Sequence, residues 1–127
     1  MSATLLLDSV ILIDHFNGIE AASDYLHEVH TEAAISVITV AEVYAGFEGI
    51  DRERVRPLMD AFVALPVTKD VAELAATLRR RHRWKLPDAL QAALAETHKL
   101  VFATRNTRDF PPARFPFVKV PYGTNAK

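Results

Sequence analysis

The sequence predicts an α/β sandwich on a mostly parallel sheet, and three observations carry that expectation. Leu5-Leu6-Leu7 is an unbroken apolar run, the pattern of a short strand covered on both faces. Strand-like and helix-like stretches alternate from there to Val120. The chain has 127 residues, 50% hydrophobic and 24% charged, which suits one globular domain with a real core. We expect that domain to span residues 1–122, with a frayed tail over 123–127.

Strand one delivers Asp8 to its C-terminal end. Ser9 then caps a helix through Phe16, which Asn17-Gly18 closes. Ala22, Tyr25, Leu26 and Val29 recur at helical spacing and mark a second, amphipathic helix from Ile19 to Val29. Ala33 to Ile38 is small and β-branched, a second strand, after which Thr39 starts a helix from Val40 to about Phe47. Val55, Leu58, Met59, Phe62 and Val63 form the apolar stripe of a fourth helix, Asp51 to Leu65. Pro57 costs that helix a hydrogen bond and moves its expected start toward Arg56.

Pro66-Val67-Thr68 reads as a short edge strand. Asp70 caps a fifth helix, in which Val71, Leu74, Ala75 and Leu78 face inward and Arg79 to Arg83 complement the dipole. Leu86-Pro87-Asp88 opens a sixth, alanine-rich helix that runs to His98. Leu100 to Ala103 is a strand, Thr104 to Phe110 a polar loop, and Phe117 to Val120 a last short strand.

Composition removes several function classes. The chain has no cysteine, which excludes disulfides and thiolate zinc sites. No apolar run approaches the ~20 residues of a membrane span, and the start lacks a basic n-region, so we expect a cytoplasmic protein without membrane association. The net charge of −1 conceals a split: residues 1–68 carry 3 Lys or Arg against 11 Asp or Glu, and residues 69–127 carry 12 against 5. Such asymmetry suggests a polyanionic or acidic partner.

In parallel α/β sheets ligands bind outside the carboxyl ends of the strands. That rule selects Asp8, Glu42, Asp88 and Asp109. Each has a plainer reading. Asp8 caps a helix as readily as it ligates; Thr39-x-x-Glu42 has the spacing of a capping box; Asp88 favours a helix N-terminus; Asp109 closes an Asx-turn. Asp14, one turn into its helix, reads as a solvated or capping acid rather than a ligand.

The four together say more. Carboxylates ~4 Å apart repel by roughly 4 kcal/mol per pair at an effective dielectric of ~20. A cluster must therefore take up protons or cations. Oxygen ligands without cysteine or matching histidine point to Mg²⁺ or Mn²⁺, and so to metal-assisted phosphodiester hydrolysis. With Glu42, Asp88 and Asp109 expected at the same edge as Asp8, and the cluster in need of a cation, Ser9 rather than Asp8 is the expected cap. His15, His27, His30, His82 and His98 show no ligand spacing, no Ser-His-Asp arrangement is indicated, and no glycine-rich phosphate loop is present.

A resemblance appears at these residues. Leu7-Asp8-Ser9-Val10 with Ile13-Asp14, Ile38-Thr39-Val40-Ala41-Glu42-Val43 with Gly46, Leu86-Pro87-Asp88-Ala89-Leu90, and Thr104 to Phe110 resemble the successive motifs of PIN-domain ribonucleases. More closely they resemble the VapC-like toxins of type II toxin–antitoxin systems, in the family's order, from about Leu5 to Val120. The resemblance implies a PIN-like three-layer α/β/α sandwich. It implies catalytic and metal-binding roles for Asp8, Glu42, Asp88 and Asp109, with Thr104 and Asn106 as polar support. It further implies an Mg²⁺- or Mn²⁺-dependent endoribonuclease, a homodimer, and a cognate antitoxin protein that covers the acidic pocket. Arg83-Trp84-Lys85 departs from the small or polar residues that family members often carry before the third acid.

RNA needs positive charge beside an acidic centre. Arg105 and Arg108 flank Asp109 and are candidate contacts to RNA or antitoxin. The run Arg79 to Arg83 reads foremost as a solvated helix end, with Arg83 kept as a candidate contact and Trp84 either stacking on a base or capping the core. Two other classes remain open. One is a catalytically idle PIN-like module that binds RNA or protein. The other is a receiver-type signalling domain, against which Asp8 stands alone after strand one and Lys119 falls within the last strand.

Overall fold

The computed structural model describes residues 3–123. Eleven elements follow in order: β1 (Leu5–Leu7), α1 (Ser9–Phe16), α2 (Glu20–Val29), β2 (Ala33–Ser36), α3 (Val37–Ala45), α4 (Ile50–Ala61), β3 (Val63–Leu65), α5 (Lys69–His82), α6 (Leu86–His98), β4 (Val101–Ala103) and β5 (Val118–Lys119). The strands form one sheet in the order β3-β2-β1-β4-β5, and every pairing is parallel. β1 is central, with Leu6 opposite Ala34 on one side and Phe102 on the other.

Alternation along β1 divides the core. Leu5 and Leu7 join Ile11, Leu26, Ile35, Val55 and Met59 on one face, beneath α1 to α4. Leu6 joins Val71, Leu78, Leu94, Phe102 and Phe110 on the other, beneath α5 and α6. Both faces are covered, which is why an uninterrupted leucine run suits this strand. The alanines of α6 (Ala89, Ala92, Ala93, Ala95) are all buried and let that helix lie close to the sheet and to α5. The result is the three-layer α/β/α sandwich that the sequence predicts.

Several boundaries differ from expectation. The fourth helix begins at Ile50, so Pro57 sits inside it rather than near its start, and it ends at Ala61. Residues expected at its end form strand β3, and the edge strand expected at Pro66–Thr68 lies three residues earlier. Phe62 and Val63 continue the helical spacing of Leu58 and Met59, which misleads the pattern. Pro66 pushes Leu65 toward extended backbone and has no N–H for a ladder. α3 starts at Val37 because Ser36, not Thr39, is its cap: Ser36 Oγ accepts from the Thr39 N–H at 3.0 Å. Thr68, not Asp70, caps α5, accepting from the Val71 N–H at 3.2 Å. Of the expected frayed tail, residues 124–127 lie outside the described residues.

The sheet order places the reversal of strand progression between β1 and β4. A crevice at the carboxyl ends of those two strands is where such sheets hold ligands.

Candidate active site

Asp8 and Thr104 leave the carboxyl ends of β1 and β4 side by side, because Leu7 pairs with Ala103. Both are buried. Thr104 Oγ1 donates to Asp8 Oδ2 at 2.6 Å, and the Ser9 N–H donates to Asp8 Oδ1 at 2.8 Å. Asp8 is thus the N-cap of α1, which corrects the expectation that Ser9 fills that position. Extended backbone at Asp8 turns its carboxylate back onto the first helical amide, whereas Ser9 already lies inside the helix. Capping leaves an acceptor oxygen with spare lone pairs, so it does not preclude a second partner.

The Ser9 hydroxyl is used elsewhere. It donates to Glu42 Oε1 and lies 3.0 Å from Thr39 Oγ1. Thr39 Oγ1 in turn accepts from Gln91 Nε2 at 2.9 Å. Because Thr39 accepts from Gln91, its own proton is free for Ser9, and the donors point in one direction: Gln91 to Thr39 to Ser9 to Glu42. Three helices, α6, α3 and α1, are joined by this buried chain. The Thr39–Glu42 capping box is therefore absent, and Glu42 is held from across the fold. Gln91 Oε1 is buried without a partner among the described residues. Sequence reasoning missed Gln91, since an i-spaced polar residue on an alanine face carries no local signal.

Asp88 sits in the first turn of α6, half-buried, at the same edge. Its carboxyl is pushed up to about 6, first by burial and then by the charges of Asp8, Asp109 and Glu42, against a smaller opposing pull from Lys85. Asp8, Glu42 and Asp109 thus all lie within electrostatic reach of Asp88. Burial likewise raises Asp8; the Thr104 and Ser9 donors counteract it and Glu42 adds to it. Asp109 is fastened by Asn106, whose Nδ2 donates to Asp109 Oδ2 at 3.0 Å and whose Oδ1 accepts the Asp109 N–H at 3.3 Å. The Asn106 N–H donates to Thr104 Oγ1 at 3.0 Å. One short loop therefore orients two of the four acids, Asp8 through Thr104 and Asp109 through Asn106.

Arg105, between them, turns to α1. Its Nε and Nη2 reach Asp14 Oδ2 at 2.6 Å and Oδ1 at 3.0 Å, a two-pronged pair, and Tyr122 Oη donates to Asp14 Oδ2 at 2.8 Å. Asp14 is buried, not the solvated acid expected from its place in the helix. The Arg105 hydrogen bonds, outweighing burial, hold its carboxyl below the usual range, with Tyr122 adding to them. Its partners lie 91 and 108 residues away, beyond the reach of any local pattern. Arg105 and Arg108 line a cleft of about 430 Å³ that also contains Asp8 and Asn106. Other cavities, of about 470 Å³, have none of the four acids in their walls. Trp84 is buried against Phe110 and Phe115, so it caps the core and is not free to stack on a base.

The donor set at this edge is all oxygen, the chemistry of a hard cation. Among the described residues no three His, Asp or Glu side chains form a ready-made cage.

A PIN domain model matches residues 5–115. The chain belongs to the PIN-domain family. Among its relatives, Ribonuclease VapC10 of Mycobacterium tuberculosis is 36% identical over 114 residues, which cover 84% of this chain and 86% of that protein. Ribonuclease VapC19 of the same organism is 32% identical over 125 residues, 92% and 98% of the two chains. A chain in the structure of a toxin-antitoxin complex from Klebsiella pneumoniae superposes with a TM-score of 0.86 at 38% identity, covering 94% of this PIN domain chain and 98% of its own.

Proposed function

We propose that this PIN-domain protein is an endoribonuclease, the toxin of a type II toxin–antitoxin pair, and that Asp8, Glu42, Asp88 and Asp109 form its metal-dependent active site. The observation that carries the chemistry is the gathering of these acids at one sheet edge, where burial first and then the charges of Asp8, Asp109 and Glu42 push the Asp88 carboxyl up to about 6. Relatives named ribonucleases and a neighbour from a toxin-antitoxin complex support the activity and the partner.

Asp8 and Asp88 would hold a divalent cation, Mg²⁺ or Mn²⁺, with Glu42 and Asp109 beside it. Such a cation, when bound, activates water and neutralises charge on a phosphodiester. The protein's part is preorganisation. Thr104 and the Ser9 amide fix both oxygens of Asp8, so that its lone pairs face the cleft without a change of rotamer. Ser9 fixes Glu42, and Asn106 fixes Asp109. Asp88 has no such donor among the described residues and is the acid best placed to exchange a proton with solvent as the site fills and empties. Arg105 is already committed to Asp14, so Arg108, exposed at the cleft, is the better contact for RNA or for a covering antitoxin segment. A homodimer completes the expected assembly.

Purified protein, stripped with EDTA and then given Mg²⁺ or Mn²⁺, should cleave RNA only after the metal is restored. Asp8→Asn and Asp88→Asn should each lower cleavage by at least ~100-fold, the scale of losing a principal electrostatic group. Full activity in either variant would sink the proposal, and metal-independent cleavage would remove the cation from it.

A further inference from the structure

Beyond the acids, a second feature stands at the turn from α5 to α6. Arg79, Arg80, Arg83 and Trp84 line one surface groove of about 400 Å³. Arg83 closes α5 in the left-handed region (φ 61°), its N–H donating to the Arg79 carbonyl at 2.7 Å, so the chain turns here and brings residue 83 back over the arginines of the last helical turn. Among the described residues the ion pairs involve Arg54, Arg56 and Arg105, and none of Arg79, Arg80, Arg81 or Arg83 meets a carboxylate. Arg114, from the β4–β5 connection, adds to the field: after burial, it and Arg81 are what hold His82 below its ordinary value. The basic end is physically tied to the acidic edge, because the buried Trp84 donates its indole N–H to the Asp109 carbonyl at 2.9 Å while its own carbonyl accepts from Arg79 Nη1 at 2.8 Å.

We propose that the groove formed by Arg79, Arg80 and Arg83 is a phosphate-binding site that grips the RNA backbone outside the acidic cleft, on the Asp109 side. Guanidinium forks match the paired oxygens of a phosphodiester, and among the described residues none of the three meets a carboxylate; Arg79 gives one Nη to the Trp84 carbonyl, and its remaining donors together with those of Arg80 and Arg83 leave that capacity open. The acids repel the same backbone, so an RNA strand needs compensating charge next to them to be held at all. Trp84 makes the spacing between groove and acids rigid. On this proposal Arg79 to Arg83, foremost a solvated helix end in the sequence with Arg83 a candidate contact, act together, since the groove gathers residues from the helix and from the turn beyond it.

This inference rests on the ribonuclease reading, and binding assayed without cleavage separates the two. A labelled single-stranded RNA is titrated in EDTA at several salt concentrations against the wild type, Arg80→Gln/Arg83→Gln, Arg80→Lys/Arg83→Lys, and Arg54→Gln as an off-groove control. Arg79 is left intact because it braces Trp84. Losing two phosphate contacts should reduce the slope of log affinity against log salt by about 1.4, at ~0.7 per contact for single strands, or about 25-fold at 0.1 M salt if the lines meet at 1 M. The lysine pair should restore the slope, which a folding defect would not allow, and Arg54→Gln should match the wild type. An unchanged slope in the glutamine pair overturns the groove, even if the protein cleaves RNA. RNA binding that depends on the two arginines in a protein that never cleaves supports the groove and refutes the enzyme. Displacement of the RNA by oligoglutamate as efficiently as by unlabelled RNA would assign the groove to an acidic protein segment and overturn the proposal.

Discussion

Replacing Asp88 by Asn removes a charge that three neighbouring acids and partial burial oppose. Its carboxyl rises from 3.8 to about 6. At about 1.4 kcal/mol per pH unit, the full rise corresponds to ~3 kcal/mol. Asp88 is only half-buried, so solvent screening reduces this, and its favourable position in the first turn of α6 works the other way by ~0.3–1 kcal/mol. A net gain of about 1–2 kcal/mol for Asp88→Asn at pH 7 remains. The sign follows from the direction of the shift. An acid whose folded value is raised contributes stability that is complete below 3.8 and is lost as pH climbs through about 6. The metal-free wild type should therefore lose stability between pH ~4 and ~6 and stay weakened at pH 7. Thermal unfolding followed by circular dichroism, in EDTA and low salt across pH 4–8, reads this directly. For a chain of this size the gain corresponds to about 4–8 °C in Tm at pH 7, closing toward zero near pH 4. Added Mg²⁺ should raise the wild type more than the variant, since a ligand that binds only the folded state stabilises it. An Asp88→Asn protein no more stable than the wild type at pH 7, or a difference independent of pH, would refute the idea that the four acids repel one another.

Three further outcomes follow from the hydrogen-bond pattern. Thr104→Val keeps the volume but leaves Asp8 Oδ2 without its buried donor, and calorimetric Mn²⁺ affinity at pH 7 should fall by about 10–100-fold. Arg105→Ala strands a buried Asp14 carboxylate and should cost ~2 kcal/mol in urea unfolding at pH 7. That cost should shrink as pH falls below 3.8 and Asp14 takes up a proton, because a lowered acid stabilises only where it is ionised. Trp84→Phe keeps the aromatic cluster but loses the bond to the Asp109 carbonyl; a loss of ~1 kcal/mol in urea, with reduced RNA cleavage, is expected, and unchanged cleavage would show that Asp109 does not depend on this brace.

Individual elements show what local pattern could carry. The all-leucine β1, the stripe of α2 and the alanine face of α6 are legible because burial on both faces, on one stripe, or under close contact each leaves a distinct spacing. Asp8, Glu42, Asp88 and Asp109 are nameable from their places after strands and at helix starts. What could not be read were the bonds that orient them. Thr39 and Glu42 have capping-box spacing, yet Ser36 takes the cap and Ser9, from another helix, takes Glu42. Asp14, one turn into α1, resembles any surface acid until Arg105 and Tyr122 arrive from the far end of the chain.

The sequence by itself determined the order of strands and helices, the layered α/β class and the four candidate acids, because these follow from residue periodicity, caps and breakers within a few residues. Only the tertiary structure decided that β3 starts at Val63, that Asp8 caps α1, that Gln91 feeds the hydroxyl chain to Glu42, and that three arginines meet in a groove braced by Trp84. The physical reason is common to all of them. A hydrogen bond or ion pair depends on atoms brought within about 3 Å, and chain folding, not sequence proximity, sets which distant side chains reach that distance.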